Sequence, residues 1–281
     1  MRLSTFSFAR LRSFELILGS LLLAVMFGAV LASGFVFPDG GEAMDLKARL
    51  VPPFLRAAHP LGTDPLGRDV LARVTTGGWI SLTVGFWSVV GGALIGTLAG
   101  LVAGYYRGIA ETILMRFADV QMALPFILLA ITFAAIVGSS VPLMIVLMIA
   151  SQWVQYARVV RGSVLSLRER EFVQASRAFG LPDPRILFLH VLPNAFGPVV
   201  ILMTLNVANN ILLESSLTFL GLGVDPLVPS WGGMLADGRT YMQTAWWVTV
   251  LPGLAIMMTV LGLNPVGDWL RDNLHPTSRA P

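Results

Sequence analysis

The strongest constraint on this chain is a run of 38 residues without a charged side chain, Val120–Ala157. A helix needs about 20 apolar residues to cross the hydrocarbon core of a bilayer, so the run has room for two membrane-spanning helices. Residues 138–142, Gly-Ser-Ser-Val-Pro, have the composition of a turn between them. The run therefore predicts an integral membrane protein.

Four more long apolar segments follow the same pattern, and only one of them contains a charge, Glu214. The segments are Leu16–Pro38, Trp79–Gly104, Phe196–Gly221 and Thr240–Gly267. Charged residues make up 12% of the 281, about half the share in an average soluble protein. This composition excludes an ordinary soluble enzyme, a disordered chain and a coiled coil. We predict an all-α polytopic membrane protein with six transmembrane helices.

The first apolar segment is similar to a signal peptide, because Arg2, Arg10 and Arg12 precede it. Its uninterrupted apolar part, Leu16–Val36, has 21 residues, whereas the apolar region of a signal peptide has about 7–15. We therefore predict that it is an uncleaved first transmembrane helix.

The distribution of basic residues predicts the orientation. With the N-terminus inside, 13 of the 19 arginine and lysine residues lie on the inner side, as the positive-inside rule requires. Both termini are therefore expected in the cytoplasm. The predicted segments are an N-terminal tail (1–15), a first helix with an outer loop (16–78), a membrane core (79–267) that contains the inner 158–195 loop, and a C-terminal tail (268–281).

The sequence offers no catalytic, cofactor-binding or metal-binding motif. The only lysine, Lys47, does not follow the glycine-rich turn of a nucleotide-binding P-loop. Histidines 59, 190 and 275 are far apart, and the chain has no cysteine. We therefore predict no enzyme activity, no bound cofactor and no metal site in this chain.

The 158–195 loop is predicted to form two short helices. The first, Glu169–Phe179, places four residues on one face: Phe172, Ala175, Ser176 and Phe179. Gly180 is expected to end it in a left-handed conformation. Asp183 is expected to be the N-cap of the second helix, which has Pro184 at its first position and ends at Leu192. A short amphipathic helix of this kind lies on lipid or fits a partner's groove, and the residues alone favour neither.

Residues 171–180, Glu-Phe-Val-Gln-Ala-Ser-Arg-Ala-Phe-Gly, followed by Leu-Pro-Asn at 192–194, resemble the cytoplasmic EAA loop of ABC importer permeases. Gln-Ala-Ser at 174–176 stands where the family usually has Glu-Ala-Ala. Further stretches resemble the C-type permease subunit of the dipeptide/oligopeptide/nickel group: His59–Arg73, Ser216–Gly223, Pro229–Gly232 and Gly267–Asp272.

The resemblance implies a transmembrane permease of a binding-protein-dependent importer in the bacterial inner membrane. Its partners would be membrane lipid, a homologous permease, two ATPase subunits that bind ATP and Mg²⁺, and an external substrate-binding protein, with no nucleic acid. Peptides are the expected substrates, with nickel or another small solute as the alternative. The implied ATPase-docking residues are Glu171, Phe172, Gln174, Ala175, Ser176, Phe179 and Gly180.

Two further groups are candidates for function. Asn206, Asn210 and Glu214 are four residues apart and share one stripe of a helix. They are expected to line a translocation path or to hydrogen-bond the partner permease. For Glu214 the alternative is a partnered structural carboxylate near the outer end of the helix. Asp64 and the adjoining pair Arg68 and Asp69 are candidates for contact with the binding protein, the alternative being a self-paired loop that caps the helices.

A self-sufficient secondary transporter or channel is the alternative from a different class. Such a protein is expected to contain an inverted repeat and ion-coupling carboxylates inside the membrane. The sequence shows no clear repeat, and only Glu214 lies deep within an apolar segment.

Overall fold

The computed structural model describes residues 3–225 and 227–274. In this part of the chain there are ten α-helices and no β-strand. The helices are α1 (Leu3–Val36), α2 (Val70–Tyr106), α3 (Gly108–Ala123), α4 (Phe126–Val137), α5 (Val141–Leu167), α6 (Glu171–Ala178), α7 (Asp183–Ile186), α8 (Leu192–Phe219), α9 (Trp231–Gly238) and α10 (Trp247–Leu274). The predicted all-α fold is confirmed.

Five helical segments within the described residues are long and apolar enough to cross a membrane. They lie in α1, α2, α5, α7–α8 and α10. The pair α3 and α4 also qualifies, but it is bent by 81° at a short break. Leu124 is extended there, with ψ 121°, because the residue before Pro125 avoids the helical conformation. The prediction of six spans is confirmed when the bent pair counts as one.

Two helices do not begin where the uncharged runs begin. The second uncharged run begins at Trp79, whereas α2 begins at Val70. An earlier start is stable because Asp69 caps the helix, accepting a hydrogen bond from the Ala72 N–H at 2.8 Å, and because the charge of Arg73 is paired. The last uncharged run begins at residue 240, but α10 begins at Trp247 after a short 3₁₀ turn, which uncharged composition alone does not distinguish from a longer helix.

The predicted tails are partly helical. Residues 3–15 of the predicted N-terminal tail belong to α1. Residues 268–274 of the predicted C-terminal tail belong to α10, and residues 275–281 lie outside the described part of the chain. The turn predicted at 138–142 is confirmed, since α4 ends at Val137 and α5 begins at Val141.

The chain divides into two compact units. The first comprises Met1–Phe86, Ala134–Met144 and Val207–Val266. Its core is built around the fully buried Trp231, whose indole N–H donates to the Val74 carbonyl at 2.8 Å. This bond satisfies the one polar group of a large buried side chain.

The second unit comprises Trp87–Phe133, Ile145–Asn206 and Gly267–Pro281. Here α2 lies directly against α5 through glycine: a β-carbon at Gly96 would come within 2.6 Å of the Tyr156 β-carbon, and one at Gly100 within 2.8 Å of the Val160 β-carbon. Small residues at this spacing let two membrane helices approach closely. The core of this unit continues from that contact to α6 and α7.

Candidate functional site

The helix predicted over 169–179 is present as α6. Gly180 ends it with φ +75°, in the left-handed region. The Gly180 N–H donates to the Arg177 carbonyl at 2.9 Å, and the Leu181 N–H donates to the Ser176 carbonyl at 3.2 Å. This is the pattern by which a left-handed glycine satisfies the last carbonyls of a helix. The predicted conformation of Gly180 is confirmed.

The face predicted for α6 is open to the surroundings. Phe172 is 42% exposed and Phe179 is 84% exposed, and Ala175 between them is also exposed. Ser176 is half-buried, and its hydroxyl donates to the Phe172 carbonyl at 2.8 Å. We call Phe172, Ala175 and Phe179 the α6 face. The other predicted docking residues are exposed as well: Glu171, Gln174 and Gly180.

The side of α6 away from this face anchors it to the second unit. Val173 is fully buried in a cluster to which α5 contributes Val160 and Val164 and the following segment contributes Ile186 and Val191. Burying a valine side chain contributes about 1.5 kcal/mol or more. The α6 face is therefore displayed on a helix that is packed from beneath.

The start of the second short helix differs from the prediction. Its N-cap is Pro182, whereas Asp183 and Pro184 occupy the first two helical positions. The Asp183 carboxylate does not cap the helix because it accepts a hydrogen bond from the Tyr105 hydroxyl at 2.6 Å. A tertiary contact has thus replaced a local one.

The end of that helix was also predicted wrongly. It does not stop before Pro193 but passes through a π-helical turn, Leu187–Val191, into α8. The Leu192 N–H bonds to the carbonyl of Leu187, five residues back, in this wider turn. Pro193 then lies in the first turn of α8, where a missing N–H costs little.

The polar residues predicted to line a path are all buried within the single chain: Asn206, Asn210 and Glu214. In the second unit, the Asn206 side-chain amide donates to the Tyr156 hydroxyl at 2.9 Å and to the Gln155 side-chain oxygen at 3.2 Å. Asn206 therefore has hydrogen-bond partners within the chain. Lining of a path by the three residues stays a prediction.

Glu214, in the first unit, has hydrogen-bond donors of its own. Its carboxylate accepts from the Thr218 hydroxyl at 2.9 Å and from the Ser215 hydroxyl at 3.2 Å. An ionisable group inside a membrane helix is costly unless such partners are present. The geometry therefore favours a partnered structural carboxylate.

In the first loop, residues 37–69, Asp64 is at the centre of a buried charge cluster. Its carboxylate accepts from Arg68 Nε and Arg73 Nη1, both at 2.6 Å, and from the Leu66 N–H at 2.8 Å. Both arginines also face Asp237 at 3.7 Å. Burial alone would raise the pKa of Asp64, but the hydrogen bonds and charge of Arg68 and the hydrogen bond from Arg73 hold it below the usual value.

The third predicted contact residue of this loop is also engaged within the chain. Asp69 accepts from the Ala72 N–H and pairs with His59 Nδ1, each at 2.8 Å. With Asp64 and Arg68 bonded to each other, the cluster favours the alternative in which the loop caps α2. Contact with a binding protein stays a prediction.

Sequence reasoning missed Tyr105 and Asp237. Tyr105 bonds a residue 78 positions away, and Asp237 faces arginines of the first loop and α2. Neither pairing leaves a local pattern such as spacing or capping, so only the folded chain reveals them.

Comparison with known proteins gives a consistent result. Residues 96–280 match the family described as binding-protein-dependent transport system inner membrane component. The dipeptide transport system permease protein DppC of Alkalihalophilus pseudofirmus is 42% identical over 80% of this chain and 74% of its own length. The glutathione transport system permease protein GsiD of Pectobacterium atrosepticum is 44% identical over 78% and 73%. A putative peptide transport system permease protein of Brucella suis is 41% identical over 95% and 88%.

A solved structure has the same fold. A chain from inward-facing conformations of the MetNI methionine ABC transporter matches with a TM-score of 0.56 at 20% identity, over 72% of this chain and 96% of that chain. The family match covers more than half of the chain, and the three relatives match most of it. The chain therefore belongs to the family of binding-protein-dependent transport system inner membrane components, as a multi-pass permease subunit of an ABC importer.

Proposed function

We propose that this permease subunit forms part of a path for peptides across the bacterial inner membrane. Support for the substrate class comes from relatives named for dipeptide, glutathione and peptide transport. A second permease of the family completes the path, and an external binding protein delivers the peptide. Two ATPase subunits bind ATP and Mg²⁺ and hydrolyse the ATP, while this chain contributes no nucleotide site.

The α6 face is the observation that carries this proposal. It displays two aromatic side chains on a short helix between the spans α5 and α8, and Val173 fixes the helix from the opposite side. Exposed aromatic side chains on an anchored helix are suited to a hydrophobic groove in a partner protein. The ATPase docks on this face, and the membrane-surface alternative for the helix is the competing explanation.

The orientation follows from the docking role. The 158–195 loop must lie in the cytoplasm, where ATP is hydrolysed, and this places both termini in the cytoplasm as well. Six basic residues of the loop support this side of the membrane: Arg158, Arg161, Arg168, Arg170, Arg177 and Arg185.

The buried polar groups have structural roles in this proposal. Asn206 and Glu214 hydrogen-bond within the chain, and these bonds stabilise α8. Asp64 and Asp69 fasten the first loop to the start of α2.

Reconstitution tests the proposed function. The chain, its partner permease, the ATPases and the binding protein are placed in liposomes, and uptake of a labelled dipeptide is measured with ATP or a non-hydrolysable analogue. Uptake is expected only with ATP and all components present. Uptake by the purified chain alone, driven by an ion gradient, would overturn the proposal.

A further inference from the structure

Tyr105, in the last turn of α2, is nearly buried, with only 2% of its surface exposed. Its hydroxyl donates to an Asp183 carboxylate oxygen at 2.6 Å. Its ring lies 4.6 Å from the guanidinium carbon of Arg177, and Arg177 Nε donates to the same hydroxyl at 3.3 Å. One side chain of α2 thus contacts both short helices of the 158–195 loop.

A third contact comes from the end of α5. Arg168 Nη1 donates to the Tyr105 backbone carbonyl at 2.8 Å. The last carbonyls of a helix have no partner within the helix, so this bond satisfies one of them and fixes the end of α2. Residues from α6, from α7 and from the position directly after α5 therefore converge on a single residue of α2.

The residues around Tyr105 also connect the end of α2 to its neighbours. Arg107 and Gly108, which separate α2 from α3, both have positive φ angles, 58° and 57°. Val173 of α6 and Leu101 of α2 pack in the same buried cluster as Tyr105. Tyr105 and the side chains around it therefore form a continuous contact between α6 and the end of α2.

We propose that Tyr105 is a positioning residue that couples the 158–195 loop to α2, through its hydrogen bond to Asp183. The proposal rests on the function proposed above, in which the ATPase docks on the α6 face. Tyr105 itself is buried beneath that face and touches no ATPase. Its role is to convert movement of the docked loop into movement of a membrane-spanning helix.

The substitution Tyr105→Phe tests this role because it keeps the ring over Arg177 and removes only the hydroxyl. In the reconstituted complex we expect normal ATPase stoichiometry and hydrolysis, with dipeptide uptake per ATP lowered about tenfold, the size of effect expected for one hydrogen bond to a charged acceptor. Asp183→Leu, which removes the acceptor, should give the same loss. Asp183→Asn keeps an acceptor oxygen and should restore most of the coupling.

The neighbouring residue supplies a matched control. Tyr106 is half exposed, so Tyr106→Phe removes a hydroxyl from the same turn and should leave uptake per ATP unchanged. The thermal midpoint of each variant is measured in parallel, because a purely structural role would lower this midpoint without changing uptake per ATP. The double variant Tyr105→Phe/Asp183→Leu should show the same uptake per ATP as either single variant, because both substitutions remove the same hydrogen bond.

The outcomes distinguish the proposed role of Tyr105 from the proposed docking of the ATPase on the α6 face. Wild-type uptake per ATP in both Tyr105→Phe and Asp183→Leu would overturn the role of Tyr105 and leave ATPase docking intact. A lowered thermal midpoint with unchanged uptake per ATP would show a structural role only, and would also overturn it. Failure of the wild-type chain to retain ATPases would overturn the docking proposal and this inference together.

Discussion

The two ends of α2 are fastened to adjacent loops by different chemistry. At the first turn, Arg73 is bonded to the buried Asp64, and Asp69 caps the helix. At the last turn, Tyr105 holds the 158–195 loop through one hydroxyl and one carbonyl. The first contact is a network of buried charges, and such a network resists rearrangement because breaking it leaves unpaired charge. The second contact is a small set of hydrogen bonds beside the exposed α6 face. The 158–195 loop can therefore move here at a lower cost than the first loop can move at the other end of α2.

The largest effect is expected where the buried charges are disrupted. Asp64→Asn should destabilise the chain by about 3–5 kcal/mol, because two arginines at this end lose a buried carboxylate. The measurement is the thermal midpoint of the purified protein in detergent.

Asp237 provides the matched control for this variant. Its carboxylate faces the same two arginines, but at 3.7 Å and with 44% of its side chain exposed, against 3% for Asp64. Asp237→Asn should therefore change stability by only about 1 kcal/mol or less. Equal losses in both variants would show that the buried network is not what distinguishes the start of α2.

The next effect concerns the α6 face. Phe179→Ala removes an aromatic side chain that is 84% exposed in the free chain, so the thermal midpoint of the chain should not fall. Docking of the ATPase should weaken by about 1.5–3 kcal/mol if the side chain becomes fully buried in a groove. The measurement is ATPase retention during purification of the complex, with Leu227→Ala, at another exposed position, as the control. Unchanged retention would argue that α6 lies on the membrane surface.

A smaller effect is expected at the end of α6. Gly180 has φ +75°, and a β-carbon there would meet no atom within 4 Å. Gly180→Val is therefore penalised only by backbone strain, about 1–2 kcal/mol, and should distort the α6 face and weaken substrate-stimulated ATP hydrolysis. Gly180→Asn should be close to wild type, because asparagine tolerates the left-handed conformation. Equal loss in both variants would mean that bulk, not backbone conformation, matters at this position.

The smallest effect is the pH dependence of the charge cluster. Because the pKa of Asp64 is held below its usual value, its contribution to stability is complete above the pKa of a free aspartate and is lost as the pH falls through the lowered pKa. Burial raises the pKa of Asp237, although Arg73 and Arg68 oppose this, so its contribution is lost as the pH rises. Thermal midpoints over an acidic pH series should therefore fall more steeply for wild type than for Asp64→Asn.

The membrane spans could be predicted from the sequence, but the ends of the helices that contain them could not. Uncharged runs located the spans because charge is costly in lipid. The uncharged runs gave no sign that α2 begins before Arg73, whose charge is paired with Asp64 of the first loop. They also gave no sign of the 81° bend at Pro125, since a broken span and a straight one have the same composition.

The local features of the candidate site could be predicted from the sequence, but its contacts between distant residues could not. The face and glycine terminus of α6 follow from local rules, and both are present in the structure. Asp183 was predicted to cap a helix, but its carboxylate is bonded to Tyr105, a contact that no local rule contains. The spacing of Asn206 and Glu214 predicted a shared stripe, but spacing does not reveal whether a stripe faces a path or a neighbouring helix.

A cysteine introduced into the α6 face tests the central claim most directly, because the natural chain has no cysteine to interfere. Phe179→Cys and a control in the first loop, Phe54→Cys, remove side chains that are 84% and 86% exposed. In vesicles that contain the whole importer, each cysteine carries a photo-crosslinker in one set of samples and is left as a free thiol in a second set. Residue 179 is expected to crosslink to the ATPase and to react with an impermeant thiol reagent only from the cytoplasmic side, while residue 54 reacts only from outside. Labelling of residue 179 from outside, or its failure to crosslink while the ATPase remains bound, would contradict the account.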